Sequence, residues 1–296
     1  MAKTQHRVVG ALVVGVVAIS FAAIFFRKAD PTHPLAAACI RLLLAGALLL
    51  PMIVRAALKG RLPRRIVLLG IGAGFFYAIH FGSWVTSLTL TTIAASVTLV
   101  TATPLLLALA SLVSGRDRPD RRHWISIGLA VVGVGIIGGV DAFRSDALTG
   151  DALALLGAAA MAGYLLLARH AGEDVDVWAF MGIAAIVGGV SLWGTAAWAG
   201  IPIEAANNSA FGYLLLAALV PQLIGHAALT WSLRSLRPTI VGIATVGEPV
   251  GATLLGVLWL GEGVPWAVGI GCMVTILAVI VGIWTRVPMS PQNSTP

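Results

Sequence analysis

The stretch IVGIATVGEPVGATLLGVLWLGE, residues 240–262, carries one charge, Glu248, ahead of its closing Glu262. As a helix rising 1.5 Å per residue, a stretch of this length reaches about 35 Å, enough to cross a hydrocarbon core about 30 Å thick. A companion stretch, IAASVTLVTATPLLLALASLVSG at 93–115, lines up with it and places Pro104 opposite Pro249 and Gly115 near Gly261. Upstream, VTSLTLTTI at 85–93 resembles LTWSLRSLRPTI at 229–240, with two extra residues in the second copy. The chain therefore reads as two collinear halves, 1–145 and 146–296, the second ending in a short tail.

Further apolar runs extend outward on both sides of this pair. They lie at 8–26, 35–54, 66–88, 93–113, 124–140, 150–168, 177–199, 210–233, 239–260 and 265–285. Polar punctuation separates them: DPTHP at 30–34, KGRLPRR at 59–65, GRDRPDRR at 115–122 and RSLRP at 234–238, with only TLTT at 89–92 between the third and fourth. Each half holds five runs, and an odd number of crossings reverses the direction in which the second half enters the membrane. The expected fold is an all-α polytopic membrane protein of ten transmembrane helices in two inverted five-helix repeats, an arrangement typical of secondary transporters.

Composition supports this reading. Of 296 residues, 58% are apolar and 10% charged, against about 25% charged in a soluble domain. Ten crossings of about 20 residues consume about 200, leaving about 96 for loops and tails and no room for a soluble domain. The formal net charge of +7 is a topology signal. Lys3, Arg7, Arg55, Lys59, Arg61, Arg64, Arg65, Arg116, Arg118, Arg121, Arg122, Arg169, Arg234, Arg237 and Arg286 fall on the side of the N-terminus, and only Arg27, Lys28 and Arg144 on the other. Positive residues stay inside, so both termini are expected in the cytoplasm of a cell-membrane protein, and no nucleic-acid partner is needed to explain the charge. Trp124, Trp178, Trp198, Trp259, Trp266 and Trp284 fall near run ends, as an interfacial belt would. Cys39 and Cys272 sit inside apolar runs and read as core residues. The first run is too long for a typical signal-peptide core and lacks a small-residue cleavage site.

GEPVGATLLGVLWLGE at 247–262, the P-x-x-x-A-L-A pattern starting at Pro104, and GDALALLGAAAMAGYLLLARHAG at 150–172 resemble the EamA branch of the drug/metabolite transporter superfamily. The resemblance covers nearly the whole chain and is clearer in the second half. The fourth run departs from the common pattern by ending in Gly115-Arg116 instead of Gly-Glu, and the first lacks the family's usual tryptophan. The resemblance implies a transporter of small solutes in which helices one to four and six to nine surround a central path, with five and ten at the periphery.

Polar groups inside the apolar runs are the candidate site. Glu248 lies about eleven residues after Arg237 and fourteen before Glu262, near the bilayer centre. An ionisable group there costs roughly 2.5–3.5 kcal/mol on insertion scales, which makes it a candidate for proton coupling. The bland alternative is a carboxylate bonding backbone groups freed at Pro249. Arg41, seven residues past Pro34, is expected either to meet an anionic substrate group or Glu248, or to snorkel to the outer interface. His80 and His226 occupy similar places in the third and eighth runs and would approach one cavity under repeat symmetry, although a lone intramembrane histidine also serves as a packing residue. Around them stand Phe75, Phe76, Tyr77, Phe81, Trp84, Gln222, Thr230 and Trp231, with Tyr77, His80 and Trp84 on one helical face. Thr101 and Tyr164 are further cavity candidates, and Pro104 and Pro249 are candidate helix breaks.

GVGIIG at 133–138 fits a dinucleotide pattern, but no strand precedes it. Gly70, Gly74, Gly135 and Gly139 read instead as small residues that permit close helix approach. GEDVD at 172–176 reads as a solvated loop, and the Asn207-Asn208-Ser209 sequon lies in an outer loop. No HExxH, GxSxG or P-loop occurs, so no enzyme activity, metal or cofactor is expected. The leading function is secondary transport of an amino acid, metabolite or drug-like compound. Export is the favoured direction, protons are the candidate coupling ion, the lipid bilayer is the expected partner, and a second copy in a homodimer is a candidate one. The alternatives are a membrane-embedded enzyme acting on a lipid or prenyl substrate through His80, His226 and Glu248, and a passive channel or sensor.

Overall fold

The computed structural model describes residues 2–91, 93–115, 119–138, 148–260 and 265–283. Among these residues all regular secondary structure is helical, without strands. Helix α1 comprises Ala2–Ser20 and Ala22–Lys28, α2 Pro34–Leu58, α3 Arg64–Leu90, α4 Ile93–Val100 and Thr103–Ser114, and α5 Arg121–Gly138. Helix α6 is Leu148–Ala171, α7 Val177–Trp198, and α8 Asn208–Ala217, a π-helical Ala218–His226 and Ala227–Ser232. Helix α9 comprises Pro238–Thr245 and Glu248–Leu260, and α10 is Trp266–Ile283. Nine of these segments are long and apolar enough to span a membrane; α5 has the right length but opens with Arg121, Arg122 and His123. Arg116, Arg118, Gly139, Arg144, Gly261, Glu262, Trp284 and Arg286 lie outside the described residues.

The helix ends follow local chemistry. Pro34 opens α2 behind His33, whose Nδ1 accepts from the Leu35 N–H at 3.2 Å. Asp176 caps α7 by accepting from Ala179 N at 3.2 Å, and Asn207 caps α8 by accepting from Ala210 N at 2.8 Å. The sequon asparagine thus has a structural task. Gly60 and Gly200 follow α2 and α7 at φ 65° and 70°, the left-handed geometry that ends a helix at little cost only with glycine. Trp198 and Trp266, both at helix ends, are 90% and 81% exposed, as expected of interfacial anchors.

In lipid, helices gain little from hydrophobic burial against one another, so association rests on close packing at small residues. A Cβ at Gly46 of α2 would stand 2.6 Å from Ile186 of α7, and one at Gly74 of α3 would stand 2.6 Å from Val187 of α7. Gly70 meets Ile183 in the same way. On the other side of α3, Gly157 and Gly163 of α6 meet Trp84 and Phe76, and Gly225 of α8 meets Ile19 of α1. The expectation for Gly135 is corrected: nothing lies within 4 Å of it, and the close approach between α5 and α10 runs through Gly133, which abuts Thr275 and Gly271. A helical face drawn from sequence spacing alone misplaced that contact by two residues.

Helix neighbours are exchanged between the halves. Helix α2 packs on α7, α5 on α10 and α4 on α9, while α3 packs on α6 as α8 packs on α1. Only 22% of the apolar span of α10 is buried, against 44–56% for the other eight spans, so it lies at the periphery.

Four helices deviate from regularity where they approach the centre. The breaks in α4 and α9 fall at 101–102 and 246–247, in equivalent positions ahead of Pro104 and Pro249. Proline lacks an N–H and its ring crowds the preceding turn. Two breaks had no expectation from sequence. Helix α1 turns at Phe21, where the Ser20 hydroxyl donates to Val16 O at 2.8 Å and competes with the helical ladder. Helix α8 widens into a π-helix around Pro221, which absorbs the lost hydrogen bond and rotates the residues that follow.

Candidate functional site

These irregularities surround a narrow central cavity of about 40 Å³, lined from six helices, α1, α2, α3, α4, α6 and α8, and completed by α9. The breaks in α4 and α9 place Thr101, Thr103, Thr245 and Glu248 on its wall. The π segment ends at His226, which it turns to the same space.

Arg41 is fully buried. It points into the protein instead of snorkelling outward, because α2 carries it into a cage of aromatic side chains. Its guanidinium carbon lies 4.2 Å from the centroid of the Phe81 ring and 5.5 Å from that of Phe26. Nη2 donates to Gln222 Oε1 at 3.0 Å across to α8, while Nε and Nη1 have no partner among the described residues. A desolvated cation over an aromatic face gains about 2 kcal/mol, whereas burying an ion costs several. The aromatic cage and one amide therefore leave the charge incompletely compensated. The expected pairing with Glu248 is not formed: both line the cavity, but no ion pair joins them among the described residues. Of the alternatives open from the sequence, neither snorkelling nor an ion pair with Glu248 is seen, and Gln222 is the hydrogen-bond partner of the guanidinium.

His80 and His226 come together as repeat symmetry implied, both against Phe81, at 4.5 and 5.5 Å between ring centroids. They differ in hydrogen bonding. His80 Nδ1 lies 2.8 Å from Gly157 O. Since a carbonyl only accepts, Nδ1 carries the proton, and a neutral His80 keeps Nε2 as an acceptor. The His80 ring also stacks on Trp84 at 6.1 Å, and the Trp84 Nε1 donor is buried without a partner. Tyr77 stacks on Tyr164 at 4.0 Å, and Tyr164 OH shares a 2.8 Å hydrogen bond with Thr230 Oγ1. Tyr77 and Gln222 thus form a layer behind the lining, holding Tyr164 and Arg41 in place. The Thr101 hydroxyl donates to Val97 O and Thr98 O at 3.0 and 2.8 Å, tying up the carbonyls before the α4 break.

Two expectations change. Trp231 does not reach the cavity; it lines a separate cleft at the ends of α3, α6, α7 and α8 with Arg61, Arg65, Arg234 and the Glu173–Asp176 loop. It follows Thr230 directly, and the turn of about 100° between successive helical residues carries its side chain away from the cavity wall that Thr230 and Leu229 share. Phe75 is half exposed on the outer face of α3. Conversely, Phe26, Thr103, Met161 and Thr245 belong to the site or its cage and carry no distinguishing signal in the sequence, being apolar or hydroxyl residues in apolar runs.

The model of the EamA-like transporter family matches this chain twice, over residues 7–139 and 148–284. No curated protein matches it in sequence. A solved structure titled only "Crystal structure of protein" superposes with a TM-score of 0.74 over 92% of this chain and 97% of its own, at 18% identity, a likeness in fold alone.

Proposed function

This chain belongs to the EamA-like transporter family and is a multi-pass membrane protein; from that premise we propose that it is a secondary carrier that moves a small organic solute by alternating access around the central cavity. The observation that carries the reading is the cavity itself, where helices of both halves meet at paired breaks and bring a cation and a carboxylate to one wall without an ion pair between them. Charged groups inside a bilayer are costly and are retained mainly on substrate or ion paths. Helices broken at midplane are the usual walls of such paths, because irregular backbone is tolerated where it lines a cavity.

In this reading the two family-matched segments are inverted repeats that rock against one another, with both termini in the cytoplasm on the strength of the positive-residue bias. Glu248 is the coupling group, a proton acceptor on the cavity wall, with Arg41, His80, Tyr164 and His226 the other titratable side chains facing the same space. Export is the proposed direction.

The test is uptake and counterflow in proteoliposomes with a pooled labelled library of amino acids and other small metabolites, with and without an imposed pH gradient. Wild-type protein is expected to accumulate its solute with the gradient, and Glu248→Gln to lose that response while retaining insertion and fold. Counterflow that is equal and pH-independent in both proteins removes Glu248 from coupling. Flux without counterflow from preloaded vesicles refutes a carrier and indicates a channel.

A further inference from the structure

We propose that the central cavity selects a small organic carboxylate with an apolar or aromatic body, whose anionic group docks on Arg41 and the Trp84 indole. The proposal rests on the carrier reading and narrows its substrate class.

The unmet groups at this site are mostly donors. Arg41 Nε and Nη1 and Trp84 Nε1 are buried without partners, and both side chains line the cavity. Behind Arg41, Gln222 spends its oxygen on the guanidinium and leaves its own Nε2 unpartnered. The Gln222 bond fixes the orientation of the guanidinium, which is held over Phe81. It is thereby preorganised, with buried N–H donors that remain unsatisfied. A buried cation with unused N–H groups is completed by an acceptor that brings negative charge, and a planar carboxylate matches a guanidinium in geometry. A neutral polar solute would satisfy the donors but leave the charge.

The rest of the wall defines the body of the ligand. Phe81, Trp84, Met161, Leu165 and Leu229 present apolar or aromatic surface next to the docking point, the walls that would meet a short alkyl or aryl group once the narrow cavity of about 40 Å³ widens as the halves rock apart. Glu248 lies on the α9 side of the same space, where its charge acts on Arg41 without forming an ion pair, so the guanidinium N–H groups themselves remain unengaged by a carboxylate.

The experiment uses the full chain in detergent, with 3-phenylpropionate, its uncharged isostere 3-phenylpropionamide, and a panel of short alkyl and aryl carboxylates as probes, read by thermal shift and titration. The expected result is binding of a carboxylate about tenfold or more tighter than its amide, the scale of hydrogen bonds to a charged group. That ratio should fall to near one in Arg41→Gln and partly survive in Arg41→Lys, which keeps the charge without the planar fork. Trp84→Phe should weaken the acid more than the amide. The acid-to-amide ratio in wild type tests the idea even if a variant does not fold. Equal binding of acid and amide, no response to any carboxylate, or a preference that persists in Arg41→Gln overturns it. Counterflow of neutral solutes alongside any of these outcomes leaves the carrier reading standing while this one fails.

Discussion

Replacing Gly189 by alanine tests whether the α2–α7 contact holds the Arg41 cage in place. A Cβ at Gly189 would stand 2.7 Å from Leu43 Cδ2, 2.8 Å from Leu43 Cγ and 3.1 Å from Leu43 N. Cδ2 and Cγ can yield by rotation about χ1 at the expense of the rotamer, but N moves only with α2, by about 0.3 Å to reach 3.4 Å (3.4 − 3.1). Restoring ordinary contact at 3.4 Å requires a shift of about 0.6 Å at Cγ (3.4 − 2.8). Overpacking of this kind costs about 1–3 kcal/mol. Gly194 on the same helix has nothing within 4 Å; alanine there removes the flexibility penalty of glycine and gains up to about 1 kcal/mol. At roughly 2–4 °C per kcal/mol, a scale taken from soluble domains, Gly189→Ala should melt about 2–12 °C lower and Gly194→Ala no lower than wild type. Cys39 is a built-in reporter: it is buried, and its Sγ lies 3.3 Å from Gly189 O, to which the thiol donates. Thiol-reactive dye fluorescence during heating, in a Cys272→Ser background, follows its release. Because Arg41 precedes Leu43 by two residues on α2, Gly189→Ala should also weaken solute binding. A Gly189→Ala protein that melts with wild type, or a Gly194→Ala protein that falls equally far, would refute the packing argument.

Two further outcomes follow from polar contacts. Tyr164→Phe and Thr230→Val each break the buried 2.8 Å hydroxyl pair, and a double-mutant cycle on unfolding should give a coupling of about 0.6 kcal/mol, no more than about 1.7; additivity would mean the bond contributes nothing. Asp120, ahead of α5, accepts from Arg122 N at 2.9 Å, His123 N at 3.0 Å and pairs with His123 Nδ1 at 2.8 Å. Partial burial raises its carboxyl, but the His123 N–H, the His123 ring and the Arg122 N–H outweigh that and hold it below the usual carboxylate range. A folded value below the unfolded one of about 3.9 means that the stabilisation is present above pH 4 and is lost as pH falls through the folded value. Asp120→Ala should cost about 0.5–1 kcal/mol at neutral pH, the low end for a cap because the side chain is 57% exposed. Asp120→Asn should retain most of the cap while flattening the melting profile between pH 3 and 5; an unchanged acid profile would rule out the linkage.

The sequence by itself determined the number and approximate limits of the helices. A bilayer demands about 20 apolar residues per crossing with every backbone group satisfied internally, so each span is legible from its own residues without reference to its neighbours. The positions of Pro104 and Pro249 likewise announced the breaks in α4 and α9, because the missing N–H is a local property. Charge and polarity in apolar runs singled out Glu248, Arg41, His80, His226, Tyr164 and Thr230, since such residues are rare enough there to stand out. What partners they take was decided only in three dimensions. Arg41 bonds Gln222, 181 positions away in the chain, and Phe26, an unremarked apolar residue at the end of α1, supplies part of its cage. Trp231 and Thr230 are neighbours in sequence and face different spaces. Which glycine meets a neighbouring helix also needed the packed structure: Gly133 and Gly135 sit on one helix, but only Gly133 faces α10. Helix formation is a local response to the solvent, whereas a side chain's partner depends on the rotation and crossing of helices. Those are set jointly by many weak contacts that no single segment encodes.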